Sequence, residues 1–402
     1  MRMNRLIASA AALTLGIAAL TSCGSDDAGG NGSEDGGGDT EVFTLTTIMP
    51  MSGPGAVYGE GVVRMLDIVV DETNAAGGIT IGDTTYEIVL DVLDDELKPE
   101  TAQAVARQAI DDGAQLIFGP FGSGNANAVQ PVMARGGAAW LLPIATVVGP
   151  TANPNVFRTA ALVSAFVDPE LEYIEADPTL QKVALLTDQT HTAHSETTSE
   201  LIGQIEGIGR SVVFSQDFST GDTDFRAPLT QMLSDAPDVV ILRGYMAECL
   251  LALQQLRELG SDAIVILNSG STTAETLSML DDLSILEDVY QSMPMTSLDP
   301  FVAAGNPLAI ELLEKLNGES AAADAYVYDA MQVLLAAMSQ ATDTSADALI
   351  AALTDLAAED VAGRTLNEYR PQAGGLLFEN REVDLPGVMV EWIPDQGWTP
   401  IP

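Results

Sequence analysis

Short β-rich runs alternate with helical stretches along most of this 402-residue chain, and no other feature limits its fold as tightly. Residues 43–49 form a β-rich run ending at Pro50, and 58–74 read as a helix stopped by Gly77-Gly78. Residues 86–92 follow as a strand, and 99–112 as a helix opened by proline in its first turn. A short apolar strand at 115–118 is closed by Gly119-Pro120, then come a helix at 125–135 and a strand at 138–142. This βαβαβαβ order predicts a parallel sheet with helices on both faces, because parallel neighbours need a crossover helix. The rhythm restarts after Phe157-Arg158-Thr159 with a helix at 164–174. Strands at 182–187, 211–215, 239–242 and 263–267 then alternate with helices ending at 205, 233 and 259. A second α/β lobe of similar size is expected. Beyond 291, helices at 307–316 and 322–340 face one at 345–356, and strand-like pieces at 375–378 and 387–393 end the chain. Too few strands remain for a third domain. This tail therefore completes the first two lobes, which requires several crossings between them and hence a hinge.

The N-terminus is organised differently. Met1-Arg2-Met3-Asn4-Arg5 precedes an apolar run at 6–20 and then Thr21-Ser22-Cys23-Gly24. The apolar run is shorter than the roughly 20 residues a bilayer span requires. A basic start, a short apolar run and small residues at a cleavage point make a signal peptide. The segment resembles the lipobox of bacterial lipoproteins, which implies that Cys23 is lipidated and starts the mature chain on the outer face of a membrane. Residues 24–41 hold no large apolar side chain. They cannot bury enough surface to offset ordering entropy and should form a leash with a reach on the order of 25 Å. The expected plan is a signal peptide at 1–22 and an acidic, glycine-rich linker at 23–41. Lobe 1 spans 42–160 and is completed by 295–360; lobe 2 spans 161–294 and is completed by 361–402.

Composition narrows the partners. The chain carries 58 acids against 16 bases, a net charge of −42. So acidic a surface is repelled by phosphate backbones, so no nucleic-acid partner is expected, and the bland reading of the charge is solubility. Of the two cysteines, Cys23 is committed to lipid, leaving Cys249 no partner for a disulfide. Cys249 shares one apolar helical face with Met246, Leu250, Leu253 and Leu256, so it reads as a small core residue.

The sequence assembles no catalytic set. His191 and His194 stand three apart, but no third ligand supports a metal, and they read as part of a polar loop. No Gly-x-Ser-x-Gly elbow surrounds Ser123, and the segment 119–126, GPFGSGNA, lacks the Gly-Lys-Ser/Thr ending of a triphosphate loop. No cofactor or metal is expected. The loop at 119–123 still lies between a buried strand and a helix, where backbone N–H groups favour carboxylates. Pro143-Ile144-Ala145-Thr146 repeats the arrangement after the next strand. Both loops would leave the carboxyl ends of neighbouring parallel strands, where open α/β sheets bind ligands.

GPFGSGNANAVQPV, LLPIAT and NPNVFRTA, together with SGPGAVYGEGVVRMLDIVVDETNAAGGI, DDELKPETAQAVARQAI and RGYMAECLLALQQLRELG, resemble the extracytoplasmic leucine/isoleucine/valine-binding proteins of ABC importers. The resemblance covers roughly residues 42–395. It implies the type I periplasmic-binding fold: two Rossmann-like, doubly wound, mostly parallel lobes on a three-crossover hinge, closing on a small ligand. It further implies that the ligand carboxylate meets Ser123 and the Thr146 backbone N–H. The Ile144 carbonyl and the Thr146 hydroxyl would lie near an amino group, with Ala145 between them. Tyr58 would flank the side chain, and Tyr245 would contribute from lobe 2.

Lobe 2 departs from the family pattern. Where the family commonly has a tyrosine, this chain offers Thr192 or His191. Where it commonly has an acid for the ligand's ammonium, Asn268-Ser269-Gly270-Ser271-Thr272 stands without a carboxylate. Asp188 or Glu248 would substitute, or the ligand lacks a cationic amine, as amides, ureas and short-chain acids do. The expected protein is a monomeric, lipid-anchored solute-binding protein that hands a small polar solute to ABC permease subunits. A sensor of the same fold, signalling to a membrane partner, and an extracytoplasmic enzyme are the alternatives.

Overall fold

The computed structural model of the chain describes residues 41–401, apart from 148, 163, 270–273, 293 and 395. The signal segment, Cys23 and the linker to residue 40 lie outside the described residues, as does Gly270. Glu41, placed in the linker by its composition, is instead the first residue of a strand. No described helix is long and apolar enough to cross a membrane.

Among the described residues, fifteen strands, numbered in chain order, form two sheets. The first sheet takes β1 (Glu41–Met49), β2 (Ile79–Ile81), β3 (Thr84–Asp94), β4 (Leu116–Phe118), β5 (Ala139–Leu142) and β6 (Val156–Arg158). The second takes β7 (Lys182–Asp188), β8 (Ser211–Phe218), β9 (Val239–Arg243), β10 (Ile264–Asn268) and β11 (Val289–Gln291). From the tail, β12 (Phe378–Glu379) and β13 (Glu382–Val383) join the first sheet, and β14 (Val390–Ile393) and β15 (Gly397–Pro400) the second. The orders are β12-β13-β6-β5-β4-β1-β3-β2 and β15-β14-β11-β10-β9-β7-β8. Both sheets are parallel through their centres; among the described residues the antiparallel pairs are β2–β3, β12–β13, β11–β14 and β14–β15, at the sheet edges. This is the expected α/β class with two doubly wound lobes.

Strand burial explains the pattern. All of Val239–Arg243 and Leu116–Phe118 are buried, as central strands covered by helices on both faces must be. In lobe 1, helices Ala56–Ala75 and Asp324–Gln340 cover one face, and helices Pro99–Asp111 and Ser123–Gly136 the other. In lobe 2, helices Arg226–Ser234 and Met246–Glu258 oppose helices Ser164–Ala176 and Thr192–Gly207. Cys249 is buried in this core, as its apolar helical face predicts.

The tail is divided later than its sequence suggests. Residues from 361 were assigned to lobe 2, yet Leu366, Leu377 and Phe378 pack into the lobe 1 core, and β13 pairs with β6. The chain crosses after Val383, not at 360. The reason is local: β12 and β13 are two residues each, too short for alternation to show, and side-chain anchoring to lobe 1 decides their place. Three segments therefore cross between the lobes: 159–163, 292–297 and 384–389. Ala160, Ala161, Phe166, Tyr326 and Leu385 form one small core that brings the first and third crossings together.

Candidate functional site

A cleft of about 680 Å³, counted to its open mouth, lies between the lobes at the carboxyl ends of the parallel strands. Lobe 1 lines it with Tyr58, Phe121, Gly122, Ser123, Ile144 and Thr146. Lobe 2 contributes His191, His194, Gly244, Tyr245, Met246 and Ser269. The second crossing and the helix beyond it add Thr296, Ala322, Ala323 and Tyr326. The walls are mostly apolar with a few convergent polar groups, as small-molecule sites are.

The loops after β4 and β5 are built by identifiable residues. Gly119 adopts φ +99°, and a Cβ there would sit 2.5 Å from the Ile48 carbonyl oxygen, so only glycine lets the chain leave β4 at this angle. Trp140 Nε1 donates to the Gly119 carbonyl. The loop then enters helix Ser123–Gly136 with Gly122 as N-cap and no side-chain cap, leaving the first backbone N–H groups facing the cleft. Ser123 is 8% and Thr146 7% exposed. The loop carrying Thr146 is gripped by Arg158, which is fully buried and donates to the Ala145 and Val147 carbonyls and, at 2.8 Å, to Glu382. Gly59 plays a similar part beside Tyr58: a Cβ there would lie 2.1 Å from the Pro50 carbonyl oxygen.

An aromatic ladder bridges the lobes. Phe121 stacks on Tyr58 at 5.1 Å between centroids, and Tyr58 stacks on Tyr245 at 5.5 Å. Tyr245 meets His191 edge-on at 4.7 Å, and His191 lies 4.2 Å from His194. Contacts of this kind contribute about 0.5–1.5 kcal/mol each beyond the area they bury. The Tyr58–Tyr245 contact joins lobe 1 to lobe 2, so the structure is that of a closed cleft.

Electrostatics in lobe 2 favour neutral imidazoles. Burial pushes His191 down to about 4 against the opposing charge of Asp188. Burial, then His191 and Arg243, pushes His194 down as well. Beneath them, Arg243 is fully buried and donates to Thr198 Oγ1 at 2.9 Å, Thr197 Oγ1 at 2.8 Å and the His194 carbonyl at 3.3 Å. Burial pushes Glu170 up to about 7; it accepts from Ser292 Oγ at 2.6 Å and from Asn268 Nδ2.

Of the residues singled out by sequence, Tyr58, Ser123, Ile144, Thr146 and Tyr245 line the cleft. Ala145 faces away and spends its carbonyl on Arg158. Thr192 does not line the cleft but abuts lobe 1, its Oγ1 lying 2.9 Å from where a Cβ on Gly124 would be. Asp188 and Glu248 are not cleft carboxylates either. Asp188 accepts from Thr190 N and Oγ1 at 2.8 and 2.6 Å and from Thr220 N and Oγ1 at 3.1 and 2.5 Å, which ties two loops together. Glu248 accepts from Gly221 N at 2.9 Å. The histidines also need correction: they start helix Thr192–Gly207 on the cleft wall and are not a solvated loop. Phe121, Ser269, Thr296 and Tyr326 were not foreseen. Phe121 sits inside one of the resembling motifs, whereas Thr296 arrives from the second crossing and Tyr326 from helix Asp324–Gln340, which no local pattern signals.

Residues 44–374 match the periplasmic binding protein family. The Leu/Ile/Val-binding protein BraC3 of Rhizobium johnstonii is 28% identical over 317 residues, 78% of this chain and 83% of its own length. The crystal structure of a leucine binding protein, LivK, from Thermotoga maritima superposes with a TM-score of 0.73 at 21% identity, covering 90% of this chain and 98% of that one. An R. palustris solute binding protein in complex with 4-hydroxybenzoate gives a TM-score of 0.71 at 17% identity, covering 89% and 95%. The two-lobed architecture, the strand-end cleft and the match over 44–374 agree: the chain belongs to the type I periplasmic binding proteins, in the leucine/isoleucine/valine-binding family.

Proposed function

We propose that this chain is the solute-binding lipoprotein of an ABC importer, held to the outer face of the cell membrane through Cys23. It captures a small organic acid, an amino acid or a related solute between its lobes and hands it to the permease. The observation that carries this reading is the single cleft to which both lobes contribute walls, bridged by Tyr58 and Tyr245. The uncapped helix start at Ser123 and the Arg158-braced loop at Thr146 form a carboxylate seat in lobe 1. The apolar walls suit an aliphatic or aromatic body. No assembled nucleophile or acid–base pair supports an enzyme.

The reading is tested by a thermal-shift screen against branched-chain amino acids, short-chain acids, aromatic carboxylates, amides and ureas. A ligand at 100 times its dissociation constant adds about 2.7 kcal/mol of stability. A panel that leaves the melting temperature unmoved overturns the proposal. Ser123→Ala then weakens the best ligand by about 1–3 kcal/mol, since a buried carboxylate loses a hydrogen bond, while melting without ligand barely changes. Unaltered affinity in calorimetry removes the carboxylate seat from this loop. Cys23→Ser moves the protein from the membrane fraction to the soluble fraction without unfolding it; a variant that stays with membranes overturns the lipid anchor.

A further inference from the structure

The two ends of the cleft differ in chemistry. The lobe 1 end has the features of a carboxylate seat. At the lobe 2 end, Ser269 and His194 are each 1% exposed, line the cleft, and leave Ser269 Oγ and His194 Nδ1 without a partner in the protein. His191 Nδ1, on the same wall, is likewise unpartnered. Buried polar atoms without a partner, carried by residues that line a cleft, are costly unless a ligand or a small side-chain shift completes them.

The charge behind this wall is mixed: the Arg243 guanidinium is opposed by Glu170, a fully buried carboxyl that accepts from Asn268 and Ser292 and does not line the cleft. No Asp or Glu lines the cleft among the described residues. The guanidinium of Arg243 lies behind His194, bonds only hydroxyl and carbonyl oxygens, and leaves Nε unpartnered. Helices Thr192–Gly207 and Met246–Glu258 both start on this wall without a side-chain cap. Asp188 is a nearby negative charge, but Thr190 and Thr220 already occupy its oxygens.

We propose that the lobe 2 end of the cleft receives a hydroxyl or carboxylate oxygen of the solute on Ser269 and His194, and turns away the ammonium of an α-amino acid. This rests on the reading of the cleft as the solute site. An ammonium stripped of water here would find no carboxylate in the described lining, since Glu170 and Asp188 are spent on other donors, and it would face two helix N-termini. A solute oxygen accepts from the Ser269 hydroxyl, and a neutral imidazole serves as donor or acceptor for a solute hydroxyl.

Calorimetry on the purified protein decides it with two series. One compares leucine, 2-hydroxy-4-methylpentanoate and 4-methylpentanoate; the other compares 4-hydroxybenzoate with benzoate. The first places an oxygen beside the carboxylate, the second at the far end. In one series or the other, the hydroxylated acid binds about tenfold or more tighter than its parent, and leucine binds worst of the first three. Ser269→Ala removes most of that advantage, weakening the hydroxylated acid more than its parent. Ser269→Asp, which supplies the missing carboxylate, shifts the preference toward leucine. Leucine binding as well as its hydroxy analogue overturns the proposal and leaves the solute site standing. So does a hydroxyl advantage that survives Ser269→Ala. If neither these acids nor the wider panel binds, the solute site itself fails, and this proposal with it.

Discussion

Replacing Arg158 with methionine lowers the unfolding free energy by about 3–5 kcal/mol, the range for removing one partner of a buried charged network. Arg158 is fully buried and serves three acceptors: the Ala145 and Val147 carbonyls and the Glu382 carboxylate. Methionine matches its length and apolar stem but leaves both carbonyls and the carboxylate unserved. Glu382 is partly exposed and relaxes toward water, so the buried carbonyls carry much of the penalty. The loop they belong to presents Ile144 and Thr146 to the cleft. The same variant therefore weakens the best solute by about tenfold or more, because the carboxylate seat is no longer held in place. Glu382→Gln keeps an acceptor for Arg158 and costs less, about 1 kcal/mol. Urea titrations of both variants measure the first effect and calorimetry the second. A methionine variant within 1 kcal/mol of wild type would mean that the loop holds its shape without the arginine.

Asp329→Ala is the second large effect, expected at about 3–5 kcal/mol. This buried carboxylate on helix Asp324–Gln340 accepts from Leu366 N at 2.6 Å, Asn367 N at 2.9 Å and Asn367 Nδ2 at 2.8 Å. Alanine leaves two backbone donors buried without partners and the Asn367 amide with only the Met295 carbonyl at 3.2 Å. The segment at 362–376 has little regular structure of its own and depends on such anchors; the Tyr369 hydroxyl donating to the Thr159 carbonyl at 3.2 Å is another. Limited proteolysis should then cut within 362–376 well before wild type is touched, with the urea midpoint lowered in parallel. Asp329→Asn retains one acceptor but turns an amide toward three donors, so it falls between wild type and alanine. Resistance to protease equal to wild type would show that other contacts hold this segment to lobe 1.

These two residues mark the line between what the sequence and the fold each decide. The strands and helices of both lobes were legible because each repeats a local period over enough residues to be read. Val239–Arg243 is apolar enough for a central strand, and Pro99 and Gly77-Gly78 punctuate helices by chemistry that acts within a turn or two. The lobe 1 end of the cleft was legible for the same reason. Ser123, Ile144 and Thr146 follow short buried strands, and the carboxyl end of a parallel strand is where such sheets open.

What stayed hidden depends on contacts between residues far apart in the chain. Asp188 and Glu248 stood just beyond lobe 2 strands, as a cleft carboxylate would. Only the folded loops show that Thr190, Thr220 and Gly221 claim their oxygens. The polar neighbours of His191 and His194 in sequence suggest a solvated loop, yet His194 is buried and His191 is partly buried against Tyr245. Thr296, on the second crossing, and Tyr326, on helix Asp324–Gln340, reach the cleft from more than a hundred residues after the nearest lobe 1 motif. β12 and β13 are too short to carry a period, so packing of Leu377 and Phe378 against the lobe 1 core assigns them. The sequence by itself determined the α/β class, the two lobes and the strand-end loops, because local propensity and periodicity act over a few residues. The lobe that owns the tail, the fate of each buried charge and the chemistry of the cleft's second wall were decided by tertiary structure alone. Burial and hydrogen-bond partnership belong to the assembled fold and not to any one segment.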